Sequence, residues 1–181
     1  MPLVNATFFL GEINIPNAVA SVAAADNLTY MIAMHEPECL LKVLGYPLYK
    51  LFETESSPRM VALLSGSEYL DNNGNLAMWK GLVYGTNKSL IAYYIYEKWA
   101  RSKATVVSGT GNSVAKQNAA EAVSFGDKII YSQNRFSELT EELLSFLWNY
   151  TILDIAAFPE MNNFLYTSIK YNTRKINGFG I

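Results

Sequence analysis

The polar stretch at residues 105–124 constrains this sequence most, because it separates two segments with strong helical patterns. Residues 87–104 and 127–153 place apolar side chains three and four positions apart, the spacing of amphipathic helices. The first of these segments is apolar almost all round, which predicts a central helix. The stretch between them is longer than ordinary connections between packed helices. We therefore expect residues 105–124 to extend from a helical body as a polar arm, and to contact another molecule.

Residues 27–66 are predicted to form short helices separated by proline and glycine. Apolar residues follow helical spacing over residues 28–35, and Pro37 can open a second helix because its missing N–H is not needed in a first turn. Gly45 and Pro47 are expected to interrupt or kink that second helix. A third, short helix completes the region.

Asn-Gly within residues 67–80 predicts a β-hairpin, since both residues tolerate the positive φ angles of tight turns. Residues 1–26 are interpreted as an N-terminal arm, with residues 7–15 as an extended arm or edge strand that stops at Pro16. Residues 159–181 are predicted to be an extended C-terminal tail. The predicted fold of the single domain 1–181 is mainly α: a small helical bundle with a β-hairpin, a long polar arm between the two longest helices, and an extended C-terminal tail.

The composition narrows the classes of function. With 181 residues, 50% hydrophobic and 17% charged, the chain has material for one compact core. Its 24 aromatic residues (12 Tyr, 9 Phe and 3 Trp) exceed what one small core hides, which indicates protein partners. The net charge is −2 and no basic stripe occurs, which argues against a protein that grips nucleic acid. We expect no signal peptide and no membrane span.

No residue set for catalysis or metal binding stands out. His35 and Cys39 are the only His and Cys, so a Cys/His zinc site cannot be built, and Cys39 is expected to be a buried small hydrophobe. The glycine-rich residues 109–112 follow a helix and lack the remainder of a phosphate-binding motif, so a flexible connection is the better interpretation. Acid pairs such as Glu36 with Glu38 are expected at the solvated surface. We therefore predict no enzyme activity, no cofactor and no metal.

Several stretches, in this order, resemble small neck proteins of tailed phages that infect Bacteroidetes. They are residues 36–52, 63–69, 79–82, 89–99, the arm with its Thr-Gly-Asn, and 176–181. The resemblance implies a head-to-tail connector, or adaptor, whose copies form a ring beneath the portal and continue the DNA channel. It also implies a helical bundle with arms and C-terminal segments that insert into neighbours. Cys39 departs from the pattern, where an aromatic or aliphatic residue is expected.

The implied partners are copies of the chain itself in a ring, the portal protein, other neck or tail proteins, and passing genomic DNA without sequence recognition, with no membrane. The implied location is the neck or tail region of the virion, after assembly in the cytoplasm of the host bacterium. We expect partner binding by the hairpin, the arm and the tail, and by these residues in particular: Tyr69, Trp79, Thr105, Val106, Val107, Gly109, Gly111, Asn112, Lys116, Arg174, Phe179 and Ile181. The alternatives for these three elements are a surface hairpin, a disordered loop and a tail packed on its own core. For the whole chain, the alternatives are a tail-completion or other neck ring protein, and a virion-associated cell-wall hydrolase.

Overall fold

The computed structural model describes residues 2–15, 22–83, 88–108, 111–114, 125–152 and 155–163, and this part of the chain is mainly helical. Its α-helices are α1 (Val22–Thr54), α2 (Pro58–Ser65), α3 (Leu90–Ala104) and α4 (Phe125–Asn149). Three antiparallel strand pairs accompany them: β1 (Ser67–Leu70) with β2 (Leu76–Trp79), β3 (Thr105–Ser108) with β4 (Gly111–Val114), and β5 (Thr151–Ile152) with β6 (Ile155–Ala156). The prediction of a mainly α fold with a β-hairpin is confirmed.

Helix α3 forms the centre of the body. Every residue from Ile91 to Tyr96 is buried, which covers all sides of the helix. Helices α1 and α4 both pack against α3, and β1 and β2 pack against α4. A helix that is apolar all round has no solvent face to present, so the predicted central position follows directly from the sequence.

Helix α1 is longer than the sequence pattern predicts. It runs without a break through Pro37, so the predicted boundary between two helices at this point is wrong. Pro37 is on the exposed side, where water can solvate the carbonyl that loses its N–H partner. The predicted interruption lies at Gly45, whose φ of 71° and ψ of 160° kink the helix. Because α1 and α4 are the longest described helices, the predicted arm between α3 and α4 does not join the two longest.

The described N-terminal residues form a buried anchor and not an arm. Two 3-10 turns, Ala6–Phe8 and Gly11–Ile13, occupy most of this segment, so the extended arm or edge strand predicted for residues 7–15 is wrong. Their side chains Phe8, Phe9 and Ile13 are buried in the core, which holds the segment against the body.

Glu36 fixes the start of this anchor. Its Oε2 accepts hydrogen bonds from the backbone N–H groups of Leu3 at 2.9 Å and Val4 at 3.1 Å. The side chain is only 7% exposed, so the predicted surface position of Glu36 is wrong. A carboxylate that accepts several backbone N–H bonds compensates the loss of hydration, which explains how it is buried next to apolar residues.

The beginning of the polar arm is a hairpin. Strands β3 and β4 pair from Thr105↔Val114 to Ser108↔Gly111. Of residues 109–112, which are predicted to be a flexible connection, Gly111 and Asn112 lie on β4. The arm's residues 109–110 and 115–124 lie outside the described residues. Helix α4 ends at Asn149, earlier than the predicted residue 153, because the chain turns into the short β5–β6 pair.

The described part of the C-terminal tail is a 3-10 helix, Pro159–Asn163, and not an extended segment. Arg59 of α2 holds it in place. The Arg59 guanidinium donates to the Ala157 carbonyl at 2.8 Å and to Glu160 at 3.1 Å, and contacts Glu55 at 2.6 Å. The hydrogen bond from Arg59 lowers the pKa of Glu55 to about 2. One guanidinium therefore joins α2 to the end of the described chain.

Candidate interaction surfaces

The inner face of the β1–β2 hairpin packs on α4. The Trp79 indole stacks on the Phe146 ring with centroids 5.9 Å apart, and its Nε1–H donates to the Leu63 carbonyl at 2.9 Å. The Tyr69 hydroxyl donates to Ser145 Oγ at 3.0 Å. Trp79 is 1% exposed and is a core residue of the described chain, where it presents no surface to a partner. Tyr69 is half-buried and fastens the hairpin to the body.

The outer face of the same hairpin is exposed and carries three apolar side chains together with Glu68. Leu70, Leu76 and Met78 are 59%, 69% and 61% exposed, and Leu70 lies directly opposite Leu76 in the register. An antiparallel sheet with one face on the core normally turns polar residues to water on the other face. Exposed apolar patches of this kind mark sites of interaction. We call Leu70, Leu76 and Met78 the hairpin surface.

The turn of the hairpin is built by Asp71 and Gly74. Asp71 Oδ1 accepts the backbone N–H groups of Asn73 and Asn75, each at 2.8 Å. The bond from the Asn75 N–H is the main reason why the pKa of Asp71 is lowered. Gly74 has a φ of +77°, which confirms the turn predicted from Asn-Gly. Trp148 of α4, 44% exposed, lines a shallow pocket together with Asn72 of the turn.

A second exposed apolar surface lies on α1. Tyr30, Met34 and Leu41 are exposed and are spaced four and seven residues apart, which places them on one side of the helix. Pro37 is exposed on the same side. Sequence reasoning missed this surface, which we call the α1 surface. One signal in the sequence could have revealed it: α1 carries apolar residues on two sides. The core buries only the side that contains Leu28 and Ile32.

Polar side chains between α1 and α3 converge on Glu38. Glu38 Oε2 lies 2.7 Å from His35 Nδ1, and Oε1 accepts from the Tyr94 hydroxyl at 2.7 Å, with Lys98 Nζ at 3.4 Å. Desolvation acts to raise the pKa of Glu38, but the hydrogen bonds from His35 and Tyr94 and the charge of Lys98 outweigh it. The net result is a pKa lowered to about 2. His35 is thus part of a cluster of polar side chains and lies within α1, not at its end.

Two groups next to Glu38 could serve as nucleophiles, the Cys39 thiol and the Tyr94 hydroxyl, but neither is activated. Cys39 is fully buried and burial raises the pKa of its thiol, so it is the small hydrophobe that we expect from the sequence. Burial and the hydrogen bond to Glu38 raise the pKa of Tyr94. The cluster is therefore suited to joining α1 to α3.

The Glu38 cluster predicts a pH dependence of stability. A carboxyl whose pKa falls from its ordinary value of 4.5 to about 2 on folding stabilises the fold above pH 4.5, and this contribution is lost as the pH falls to 2. Glu38→Gln should therefore lower the free energy of unfolding near pH 6, by about 1 kcal/mol because solvent screens this half-exposed group. Urea unfolding at several pH values measures this. The difference from wild type should shrink between pH 4.5 and 2, and a constant difference would contradict the assignment.

The structure places the predicted arm residues on one hairpin. Thr105, Val106 and Val107 lie on β3, and Gly111 and Asn112 lie on β4, with Val107 opposite Asn112. Five other predicted contact residues lie outside the described residues: Gly109, Lys116, Arg174, Phe179 and Ile181. The role of both groups in partner binding stays a prediction.

Among the described residues, no group of three or more His, Cys, Asp and Glu side chains is arranged to hold a metal ion. No helix in the described ranges has the length and apolar character needed to cross a membrane. No protein-family model, curated protein or solved structure matches this chain. The geometry of the two apolar surfaces is therefore what guides a functional interpretation.

Proposed function

We propose that this chain is a head-to-tail connector of a tailed phage, whose copies form a ring between the portal and the tail. The observation that carries the proposal is the pair of exposed apolar surfaces on separate elements, the hairpin surface and the α1 surface. A ring with a head-to-tail interface needs two different surfaces that complement each other. Each copy would place its hairpin surface against the α1 surface of the next copy.

The arrangement of the helices suits this contact. The α1 surface belongs to α1, the hairpin surface is attached to α4, and α3 packs against both helices. The two surfaces thus belong to different parts of one body, so that a copy contacts two neighbours. A standard interface buries about 800 Å² on each partner. The β3–β4 hairpin is the further element that we expect to add contact area.

Other features agree with the same proposal. The resemblance to phage neck proteins supports the portal and other neck or tail proteins as partners. The net charge of −2 suits a channel through which DNA passes without being held by its phosphates. A cell-wall hydrolase would need a carboxyl with a raised pKa in a cleft, and Glu38 does not meet this requirement because its pKa is lowered. We place the protein in the neck of the virion, assembled in the host cytoplasm.

Leu76→Asp is the variant that tests the proposal. A charge in the centre of the hairpin surface should prevent its burial against the next copy, and should weaken ring formation about 100-fold, the effect of about 3 kcal/mol at an interface hot spot. The mass of the purified chain, alone and mixed with the portal protein of the same phage, is measured by light scattering. Imaging of large species then shows whether a closed ring forms.

Val61→Asp is the matched control, because Val61 is 56% exposed on α2 and belongs to neither surface. It should assemble like the wild type. The proposal would be overturned if the wild-type chain stayed monomeric at high concentration and did not bind the portal protein. Peptidoglycan hydrolysis would then be the next activity to measure.

A further inference from the structure

A groove runs between the N-terminal anchor and α1. It has a volume of about 780 Å³, within the range in which proteins bind small molecules and peptide side chains. Its apolar lining comes from Leu28, Ile32 and Leu40 of α1 before the kink, Phe52 after it, and Leu64 of α2. These positions are fixed by the core, so the groove is a preformed feature of the fold.

The charge of the groove is acidic. Glu36 and Glu53 are among the described residues that line it, and no lysine or arginine is. Glu36 is buried and already accepts backbone N–H groups, whereas Glu53 is exposed at the rim and accepts the Tyr49 hydroxyl at 2.9 Å. An apolar groove with carboxylates fits a ligand that combines large apolar side chains with positive charge.

The sequence itself contains a segment of this chemistry. Residues 164–181 include Lys170, Arg174 and Lys175, and contain no Asp or Glu. They also carry eight large apolar side chains, spread over the whole segment: Phe164, Leu165, Tyr166, Ile169, Tyr171, Ile176, Phe179 and Ile181. Since the whole chain has 14 basic and 16 acidic residues, its acidic excess lies entirely outside this segment. The segment and the groove are therefore complementary in charge and in polarity.

The described chain ends near the groove. The 3-10 helix Pro159–Asn163 is held by Arg59, and the groove residue Leu64 lies on the same helix α2. Arg59 and Leu64 are separated by about 7.5 Å along the helix axis, so the last described residues and one wall of the groove are both attached to α2. An attached segment also acts at a high effective concentration, which favours a segment of the same chain over one from another molecule.

We propose that the groove binds residues 164–181 of its own chain. Apolar side chains of the segment fill the groove, and its lysines and arginine pair with Glu53 and with the acidic field of Glu36. This inference is independent of the proposed function, because it requires neither a ring nor a portal.

Zero-length cross-linking of the full-length chain tests the proposal. A carbodiimide joins lysine amines to carboxylates in contact, so Lys170 or Lys175 should be linked to Glu53, and mass spectrometry identifies the linked peptides. An equal mixture of ¹⁴N- and ¹⁵N-labelled protein distinguishes the source of the segment. Links within one chain never contain both isotopes, whereas in an equal mixture half of the links between copies contain both.

Ala33→Arg is the decisive variant, since Ala33 is exposed and lines the groove. A like charge in the groove should lower the yield of these links about ten-fold. Thr29→Arg, also exposed on the rim, should act in the same way. Met34→Arg is the matched control, because Met34 is the next residue on α1 but does not line the groove; it should leave the yield unchanged.

Single-isotope links to Glu53 that Ala33→Arg and Thr29→Arg reduce, and Met34→Arg preserves, would support the proposal. Links of mixed isotope would assign the groove to a second copy and overturn it. It would also be overturned if links to Glu53 did not exceed those to the exposed Glu141, or if the groove variants had no effect. Because Met34 belongs to the α1 surface, a defect of Met34→Arg in ring assembly would concern only the proposed function.

Discussion

Replacing Gly81 with alanine is expected to lower the free energy of unfolding by about 4 kcal/mol, through backbone strain and steric overlap together. Gly81 has a φ of +95°, a conformation that L side chains rarely adopt. A Cβ atom at this position would lie 2.6 Å from the Ser65 carbonyl carbon and 2.7 Å from the Gly66 nitrogen. Both are backbone atoms, so no side chain can rotate away to relieve the overlap.

The two backbone segments at this crossing are held together and cannot separate easily. Leu82 N–H donates to the Leu63 carbonyl, which also accepts the Trp79 indole, and Val83 N–H donates to the Leu64 carbonyl. Moving them apart to admit a methyl group would therefore break hydrogen bonds and disturb the core around Trp79. Urea unfolding followed by far-UV circular dichroism measures the loss of stability.

Gly74→Ala is the matched control for Gly81→Ala. Gly74 also has a positive φ, +77°, but a Cβ atom there would meet nothing within 4 Å. Only the strain of the positive φ remains, so Gly74→Ala should lower the free energy of unfolding by about 1 kcal/mol. If both variants lowered the free energy of unfolding by the same amount, this would contradict the close approach of the backbone at residues 64–66 and 79–81.

The helical body can be predicted from the sequence because its apolar residues recur with the period of an α-helix. The all-apolar pattern of α3 and the stripe of α4 allow only a central helix and a helix that packs on it. The turn at Asp71 and Gly74 is equally local, since it depends on the φ preference of glycine and on one carboxylate. These elements are specified by residues close together in the chain.

The errors arise where a local preference competes with distant contacts. Pro37 suggests a helix start, but α1 continues through it on the exposed side, where a missing hydrogen bond costs less. Residues 7–15 contain apolar residues in a partly alternating run, yet they form 3-10 turns because the core accepts Phe9 and Ile13, and no strand in the described part of the chain is paired with them. Glu36 is buried because its partners are the N–H groups of Leu3 and Val4, distant in sequence.

The candidate surfaces, too, depend partly on the local sequence and partly on distant contacts. Trp79 and Met78 are adjacent and both apolar, and the sequence alone does not decide which one faces the core. The strand alternation decides it: α4 covers Trp79, and Met78 is left exposed. The α1 surface has the same origin, since a helix with two apolar stripes buries only the stripe that faces α3. The sequence therefore predicts that partners exist, and the fold shows which apolar residues remain to bind them.

Arg59→Ala is expected to detach the C-terminal end of the described chain and to cost about 3 kcal/mol, the range found when one member of a largely buried ion pair is removed. The Arg59 and Glu160 side chains are each 17% exposed. Without the guanidinium, the Glu160 carboxylate and the Ala157 carbonyl lose their hydrogen-bond donor in a partly buried site. Hydrogen exchange should accelerate over residues 155–163, while exchange in α3 should change only with global stability.

Lys80→Ala is the matched control, because the ion pair of Lys80 with Glu142 is 3.8 Å long and both side chains are more than 40% exposed. Such surface pairs contribute about 0–1 kcal/mol, so this variant should unfold close to the wild type. Arg59→Lys should recover only part of the loss, since an ammonium group cannot reproduce the forked contact with Glu55 and also reach the Ala157 carbonyl. If Arg59→Ala left exchange over residues 155–163 unchanged, the packing of Phe158 and Met161 would hold this end without the guanidinium.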